Sequence, residues 1–460
     1  MIENLEFSKI VPCDSYYLYR WHNMPGALDR LIPYWEKVSV KEHPDGLFNG
    51  GRVALDLAFG PLNIAWDLEL SDVIEGEQFK DTQIKGPFSF WSHIHKMQAI
   101  NDSNSMLVEN IKFSLPFSDP FFIKPFAVNK IKRLFNYRMQ VISNDIKRHY
   151  KYKDKNTMKI LISGASGLVG DALVKFFSSA GHQVLRLVRH ETTKADEIAW
   201  FPPKSSDDEG YIDLNALEGV DAVIHLAGEN IASGRWTEAQ KKKIYDSRIL
   251  GTNFLVDQLL KLKQAPKVFL SASAIGFYGH SDDKVFNEQS ASGSGFLADT
   301  CLEWEKAAQR AEEKGIRVVS ARLGIVLDPK AGALAKMLPL FSLGGGGILG
   351  SGKQFMSWIA LDDVIGAMHH CIMNEAVRGP VNLVSPEVVT NAEFTKILAK
   401  VLARPAIFPA PAFALRLVLG EMADALLLSS TKVEPKVLEN TGYEYSFSNL
   451  EAALRHMLGK

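Results

Sequence analysis

Residues 1 to about 150 carry short runs in which apolar and polar positions alternate. Arg52-Val-Ala-Leu-Asp-Leu-Ala-Phe59 is the clearest, and a period of two marks a strand with one face in a core. A helical segment from about Asn129 to Arg148 closes this half. The polar run Lys151 to Thr157 has no apolar periodicity and reads as a linker. At Met158 the rhythm changes. Lys159-Ile-Leu-Ile-Ser163 is a continuous apolar run, predicting a buried strand, and Leu168 to about Ala180 predicts a helix. Gln183 to Val188 predicts a second strand, with Asp221 to Leu226 and Lys267 to Ser271 following. Strands that alternate with helices predict a doubly wound parallel sheet covered on both faces, an α/β fold of Rossmann type.

The length of 460 residues suggests about three domains. Lys and Arg number 52 against 53 Asp and Glu, so no global field exists to hold nucleic acid or an anionic membrane. The run Gln240-Lys-Lys-Lys243 is then a solvated helix face. Cys13, Cys301 and Cys371 are scattered, which argues against a disulfide framework or a zinc site and fits a reducing, cytoplasmic setting. The N-terminus has acids and no apolar run, unlike a signal peptide. The most apolar stretch, Ala412 to Leu428, contains Arg416, Glu421 and Asp424 and reads as a buried amphipathic helix, not a membrane span.

The first strand of the second half runs directly into Gly164-Ala165-Ser166-Gly167-Leu168-Val169-Gly170. Glycines there allow a tight turn, a close approach of backbone to a pyrophosphate, and close packing of helix on strand. The helix that starts in this turn presents free N–H groups and a positive end to phosphate. Cofactor choice is read at the end of the second strand. An acid there binds a free ribose hydroxyl, whereas arginine receives a 2′-phosphate. The sequence has Leu187-Val188-Arg189, so NADP is expected over NAD.

These features, with His225-Leu226-Ala227-Gly228 and Ser271-Ala-Ser-Ala-Ile-Gly-Phe-Tyr-Gly279, resemble the extended short-chain dehydrogenases, the sugar-nucleotide epimerases and dehydratases. Glu229 to Trp236, Asp246 to Thr252, Gln354 to Asp363 and Gly379 to Leu458 narrow the resemblance to the YfcH-like epimerase subgroup with its DUF1731-like C-terminal segment. Trp21 to Leu31, Phe79 to Gln83, Gly86 to His95 and Phe135 to Arg138 resemble the SRPBCC (START/Bet v 1-like) helix-grip fold. That fold wraps a curved sheet around a long C-terminal helix and encloses an apolar cavity. The expected organisation is a helix-grip ligand domain at 1–150, a linker at 151–157, a Rossmann domain at 158–378 and a substrate-side segment at 379–460. The resemblance places Leu226, Ala227 and Gly228 beside the adenosine half of the cofactor.

Short-chain dehydrogenases generally use a serine, and a tyrosine four residues before a lysine, whose ammonium lowers the phenol pKa. Ser273 matches the serine, but Cys301 and Glu305 stand at the tyrosine and lysine positions. Lys306 is one residue late, about 100° round the helix. Ser273 is expected to polarise a substrate carbonyl, with Tyr278 as the nearest alternative proton donor, and Cys301 is expected to be a packing residue. Asp363 reads as a structural or pocket-edge acid. Gly347 to Gln354 mimics a phosphate-binding Walker loop but lacks the hydroxyl after Lys353, and reads as a mobile loop over the substrate pocket. His93 and His95 share one strand face, yet no third ligand is clearly spaced to complete a metal site, and none is expected. The sequence therefore points to an NADP(H)-dependent oxidoreductase or epimerase acting on a small molecule, with an apolar ligand in the N-terminal domain. The rival is a protein that senses NADPH without turnover.

Overall fold

A computed structural model describes residues 2–59, 62–116, 123–205 and 207–460. The chain divides into two compact units. One comprises Met1–Asn156 with Lys175–Gly181 and Gly459, and the other Thr157–Val174, His182–Leu458 and Lys460.

The first unit has seven strands: β1 (Glu3–Val11), β2 (Val38–Glu42), β3 (Arg52–Phe59), β4 (Leu62–Ile74), β5 (Gln78–Lys85), β6 (Phe90–Asn101) and β7 (Asn104–Ser114). They form one antiparallel sheet in the order β1-β7-β6-β5-β4-β3-β2. Helix α1 (Ser15–His22) follows β1 and is capped by Asp14, whose carboxylate accepts from the Tyr17 N–H. The 28-residue helix α2 (Ile123–Tyr150) closes the unit, and the helical period seen from Asn129 to Arg148 extends by about two turns at its start. Its buried face packs Ile131 and Phe135 among Val53, Leu55, Trp91 and Phe113, and Met139, Ile142 and Ile146 among Leu18, Phe79, Met97 and Leu107. The period-two alternation is thus satisfied by one helix lying along the apolar face of the sheet. Asp145 on α2, fully buried, accepts two hydrogen bonds at 2.7 and 2.9 Å from the Arg30 guanidinium.

The second unit holds an eight-stranded sheet: β8 (Lys159–Ser163), β9 (Gln183–Val188), β10 (Glu197–Phe201), β11 (Tyr211–Ile212), β12 (Ala222–His225), β13 (Val268–Ala274), β14 (Arg317–Leu323) and β15 (Gly379–Leu383). The order is β11-β10-β9-β8-β12-β13-β14-β15, parallel except for β11 against β10. The direction of strand addition reverses between β8 and β12, where an open α/β sheet leaves a crevice at the carboxyl ends of its strands. The helices that position the site are α3 (Leu168–Ser179), α4 (Glu238–Lys261), α5 (Phe296–Gln309) and α6 (Leu361–Met373).

Three expectations are corrected. The sheet does not end at residue 378, because Gly379–Leu383 forms its last parallel strand; a boundary placed at the start of a family-like segment missed this pairing. Ala412 to Leu428 is not one buried helix. Gly420, with φ +63°, ends a helix at Ala412–Leu419 in which no residue is buried, and a separate wide helical turn follows at Ala423–Leu427. The loop from Gly345 to Leu349 is tied down by bridges to Ala406 and Ala410, and a Cβ at Gly347 would meet the Phe408 carbonyl. It leads into the short strand Phe355–Met356, which removes the Walker reading altogether. No described helix is long and apolar enough to cross a membrane.

Candidate functional site

The glycine-rich turn sits at the switch point. Gly164 adopts φ +69°, a backbone conformation that L side chains rarely enter. A Cβ there would lie 2.9 to 3.0 Å from the Leu226 carbonyl group and the Ala227 nitrogen, so the turn packs directly on the end of β12. A Cβ at Gly170 would lie 2.2 Å from the Gly164 carbonyl oxygen and 2.8 Å from the Ala165 Cα. Helix and turn can therefore approach this closely only without a side chain at 170. The Gly167 N–H donates to Gly164 O at 3.0 Å, and the N–H of Asp171 donates to Gly167 O at 2.8 Å, which starts α3. Ala165 is buried under the turn while Ser166 and Gly167 face solvent, with Leu168 and Val169 partly covered in the first helical turn.

A buried polar chain fixes β12 beside this turn. Ser163 Oγ accepts from the N–H groups of Leu226 and Ala227 at 3.1 and 3.3 Å, which leaves its own hydrogen for His225 Nδ1 at 2.7 Å. His225 Nε2–H then donates to Thr252 Oγ1 at 3.0 Å, where the Trp304 indole N–H also donates at 2.9 Å. Burial pushes His225 down to about 4, so it is the neutral ring this chain requires. Gly228, exposed at the end of the strand, faces the Arg248 guanidinium. Arg248 donates to the carbonyls of Glu229 and Ile244 and stacks over Trp304. This arginine was missed, because on the sequence it is one charge on a charged helix. Arg189 stands exposed one residue past β9 with no ion-pair partner among the described residues, whereas its neighbour Arg186 is held by Asp196 and Glu197.

Ser273 lies at the end of β13, buried, and donates to Glu305 Oε1 at 2.6 Å. Glu305 is gripped on both oxygens at 2.8 Å by Arg322 of β14, a buried arginine that also lies 3.5 Å over the Phe277 ring. The residue at the expected lysine position is thus an anion neutralised by an arginine one strand away. Periodicity gave no sign of Arg322, because it occupies a core position of a buried strand. Its fork continues to the Tyr278 hydroxyl at 2.9 Å, which in turn donates to Asn382 Oδ1 at 2.6 Å. The hydroxyl of Tyr278, the expected alternative proton donor, is buried, donates to Asn382 and accepts from Arg322, and burial raises its pKa. Cys301, on α5, is bonded to the Ala274 backbone and to Ser273. Burial, then Glu305, pushes its thiol up to about 11. Lys306 points away, paired with Glu303 at 2.8 Å. Asp363, fully buried at the start of α6, accepts from the Tyr443 hydroxyl and from the N–H groups of Ser446 and Phe447 at 2.9 to 3.0 Å. It clasps the C-terminal segment.

The first unit holds a second polar cluster. Asp81 of β5 is opposite His93 of β6, and His95 of β6 is opposite Glu109 of β7. His93 contacts Asp81 Oδ2 through Nδ1 at 3.0 Å and Glu109 Oε2 through Nε2 at 2.7 Å. His95 contacts the same two oxygens at 3.1 and 2.9 Å. His22 of α1 joins them. With His95 and Glu109 it forms a group of ligand atoms all within 4.8 Å of one another, and Asp81, His93 and His95 form another. Burial opposes charge on His93, but Asp81 and Glu109 outweigh it and raise the ring to about 9. Burial pushes His22 down to about 4. The expectation that nothing completes the His93–His95 pair is therefore corrected. The partners come from neighbouring strands and from α1, where linear spacing cannot reveal them.

Residues 160–383 match the model of the NAD dependent epimerase/dehydratase family, and residues 410–457 match a domain of unknown function, DUF1731. An epimerase family protein of Mycobacterium bovis is 42% identical over 64% of this chain and 96% of its own length. The epimerase family protein SDR39U1 of Homo sapiens is 34% identical over 65% of this chain and all of its own length. Its isoform 2, solved with NADPH, has 32% identity and a TM-score of 0.58 over 65% of this chain and 99% of that one. A nucleoside-diphosphate sugar epimerase of Corynebacterium glutamicum has 28% identity and a TM-score of 0.80, covering 99% of this chain and 90% of its own. The glycine turn at the switch point and these matches agree, and the chain belongs to the NAD dependent epimerase/dehydratase family, among its SDR39U1-like members with a DUF1731 segment.

Proposed function

We propose that the chain binds NADP(H) at the turn Gly164 to Gly170 and acts as a short-chain dehydrogenase-like oxidoreductase or epimerase. The observation that carries this reading is the cradle itself. Gly164 and Gly170 admit no Cβ, and the first turn of α3 opens beside Leu226 and Ala227. Backbone N–H groups between Ala165 and Gly170, other than that of Gly167, would hold the pyrophosphate, and Leu226, Ala227 and Gly228 would border the adenosine half. Exposed Arg189 would take the 2′-phosphate, and no acid stands at the end of β9 itself to repel it. The human relative solved with NADPH supports the same choice. A bound cofactor would supply hydride transfer, and Ser273, held by Glu305, would orient the reacting oxygen. Fluorescence titration tests the cofactor. NADPH should bind more tightly than NADH, and Arg189→Ala should lose roughly ten- to a hundredfold in NADPH affinity with little change for NADH. Equal affinities in the unmutated protein overturn the assignment.

A second reading, cofactor binding without turnover, is favoured by one observation: every proton-bearing group around Ser273 is engaged or neutral. Tyr278 is spent on Asn382 and Cys301 is a thiol. A broad carbonyl and sugar-nucleotide screen in which NADPH is never consumed selects it. For the first unit, the sheet of seven strands along a 28-residue helix supports a helix-grip domain of the SRPBCC kind with an apolar ligand.

A further inference from the structure

We propose that the first unit binds one divalent first-row transition-metal ion through His22, His95 and Glu109, with Asp81 and His93 at the same site. His93 and His95 make four nitrogen–oxygen contacts of 2.7 to 3.1 Å with two carboxylate oxygens, one from Asp81 and one from Glu109. Each such contact brings lone pairs together unless a hydrogen or another cation lies between them. Two neutral imidazoles supply two hydrogens, which serve the bonds of His93 Nε2 with Glu109 and of His95 Nε2 with Asp81. An imidazolium at His93 covers its Nδ1 contact as well, and His95 Nδ1 is still buried without a hydrogen-bond partner among the described residues. A second imidazolium would put two charged rings side by side, with centroids 3.8 Å apart. Arg138, partly buried, faces both carboxylates from further off and gives its own hydrogen bond to Leu31 O instead.

His22 separates the two solutions. Its Nδ1 lies 2.8 Å from the Leu18 carbonyl, which can only accept, so Nδ1 carries the hydrogen and Nε2 presents a lone pair. That Nε2 is buried without a hydrogen-bond partner among the described residues, an arrangement extra protons on His93 and His95 leave unimproved. A cation satisfies it together with the carboxylates. A carbonyl-bound Nδ1–H behind a free Nε2 is also how metal-binding histidines are usually oriented, and the Trp91 indole holds the far oxygen of Asp81 at 2.9 Å in the same manner. Imidazole and carboxylate donors without thiolate suit zinc, iron(II) or manganese. The ligand atoms lie within 4.8 Å of one another, so bonds of about 2.0–2.2 Å need only small side-chain adjustments.

The test uses the full chain, stripped with a chelator and titrated with zinc alone in competition with a chromophoric chelator. One equivalent should bind with submicromolar affinity. His22→Ala and His95→Ala should each weaken it at least about a hundredfold, while His43→Ala, an exposed histidine of the same unit, should leave it unchanged. The zinc K-edge spectrum of the unmutated protein needs no variant to fold, and should show imidazole nitrogens and carboxylate oxygen at about 2.0–2.2 Å. Binding weaker than about 100 µM, well short of the affinity of structural zinc sites, means the cluster holds protons alone and overturns the proposal. Tight binding retained in both variants, or a shell without imidazole, overturns it equally.

Discussion

Single side chains decide the chemistry at the end of β13. Cys301 takes the place of a phenol, but burial and Glu305 keep its thiol neutral up to about pH 11. A neutral thiol is a poor nucleophile and a poor base. Cys301→Ala should therefore leave turnover within about tenfold, while Ser273→Ala, which removes the one hydroxyl held by Glu305, should cost on the order of 10²-fold. Steady-state oxidation of NADPH on a carbonyl or sugar-like substrate measures both. Loss of all turnover in Cys301→Ala with cofactor binding intact would make the thiol catalytic and sink this assignment. The glycine turn, Arg189 and Ser273 could be read from the sequence because each sits in a local motif of strand, turn and helix. Glu305 could be read only as a departure from a pattern. Arg322, which gives that departure its meaning, could not.

At the scale of elements, β8 and β12 are locked side by side by the chain from Ser163 through His225 to Thr252. His225 has a folded value of about 4 against 6.5 for an ordinary histidine. A folded pKa below the unfolded one means that the unfolded chain takes up a proton first. The contribution is complete above about pH 6.5, falls as the pH drops and is exhausted near pH 4. The loss by pH 4.5 is about 2–3 kcal/mol. Denaturant unfolding at pH 7.5 and 4.5 should show the unmutated protein losing that much more stability than His225→Asn. Parallel losses in the two proteins would show that the histidine is not the source. Strand positions such as 159–163 and 183–188 were legible because a buried parallel strand is a continuous apolar run. The pairing of 379–383 was not, because a run of five residues carries no record of its neighbour.

Across the second unit, Asp363 ties the C-terminal segment to α6 through Tyr443, Ser446 and Phe447. Its replacement by alanine would leave the N–H groups of Ser446 and Phe447 without their acceptor, while the Tyr443 hydroxyl keeps the Asp363 backbone carbonyl, and an unmade buried hydrogen bond costs about 1–3 kcal/mol. Asp363→Ala should lower unfolding stability by roughly 2–5 kcal/mol and expose the segment after Leu428 to limited proteolysis. An unchanged cleavage pattern and an unchanged midpoint would show that Asp363 is not the clasp. The sequence read this acid as structural or pocket-edge, and its partners lie some eighty residues further along.

The sequence alone determined the order of elements, the change of rhythm near Met158 and the glycine turn. These depend on spacing within a few residues, where side-chain period and backbone freedom act directly. Tertiary structure decided everything that depends on residues meeting from different strands. It turned Glu305 from a missing lysine into an arginine-held anchor for Ser273, and tied the Tyr278 hydroxyl to Asn382 and Arg322. It also set Asp81, Glu109 and His22 around His93 and His95. The reason is register. Two strands bring opposite residues to within a side chain's reach whatever their separation along the chain, so a set of ligands assembled across β5, β6 and β7 leaves no spacing in the sequence by which to find it.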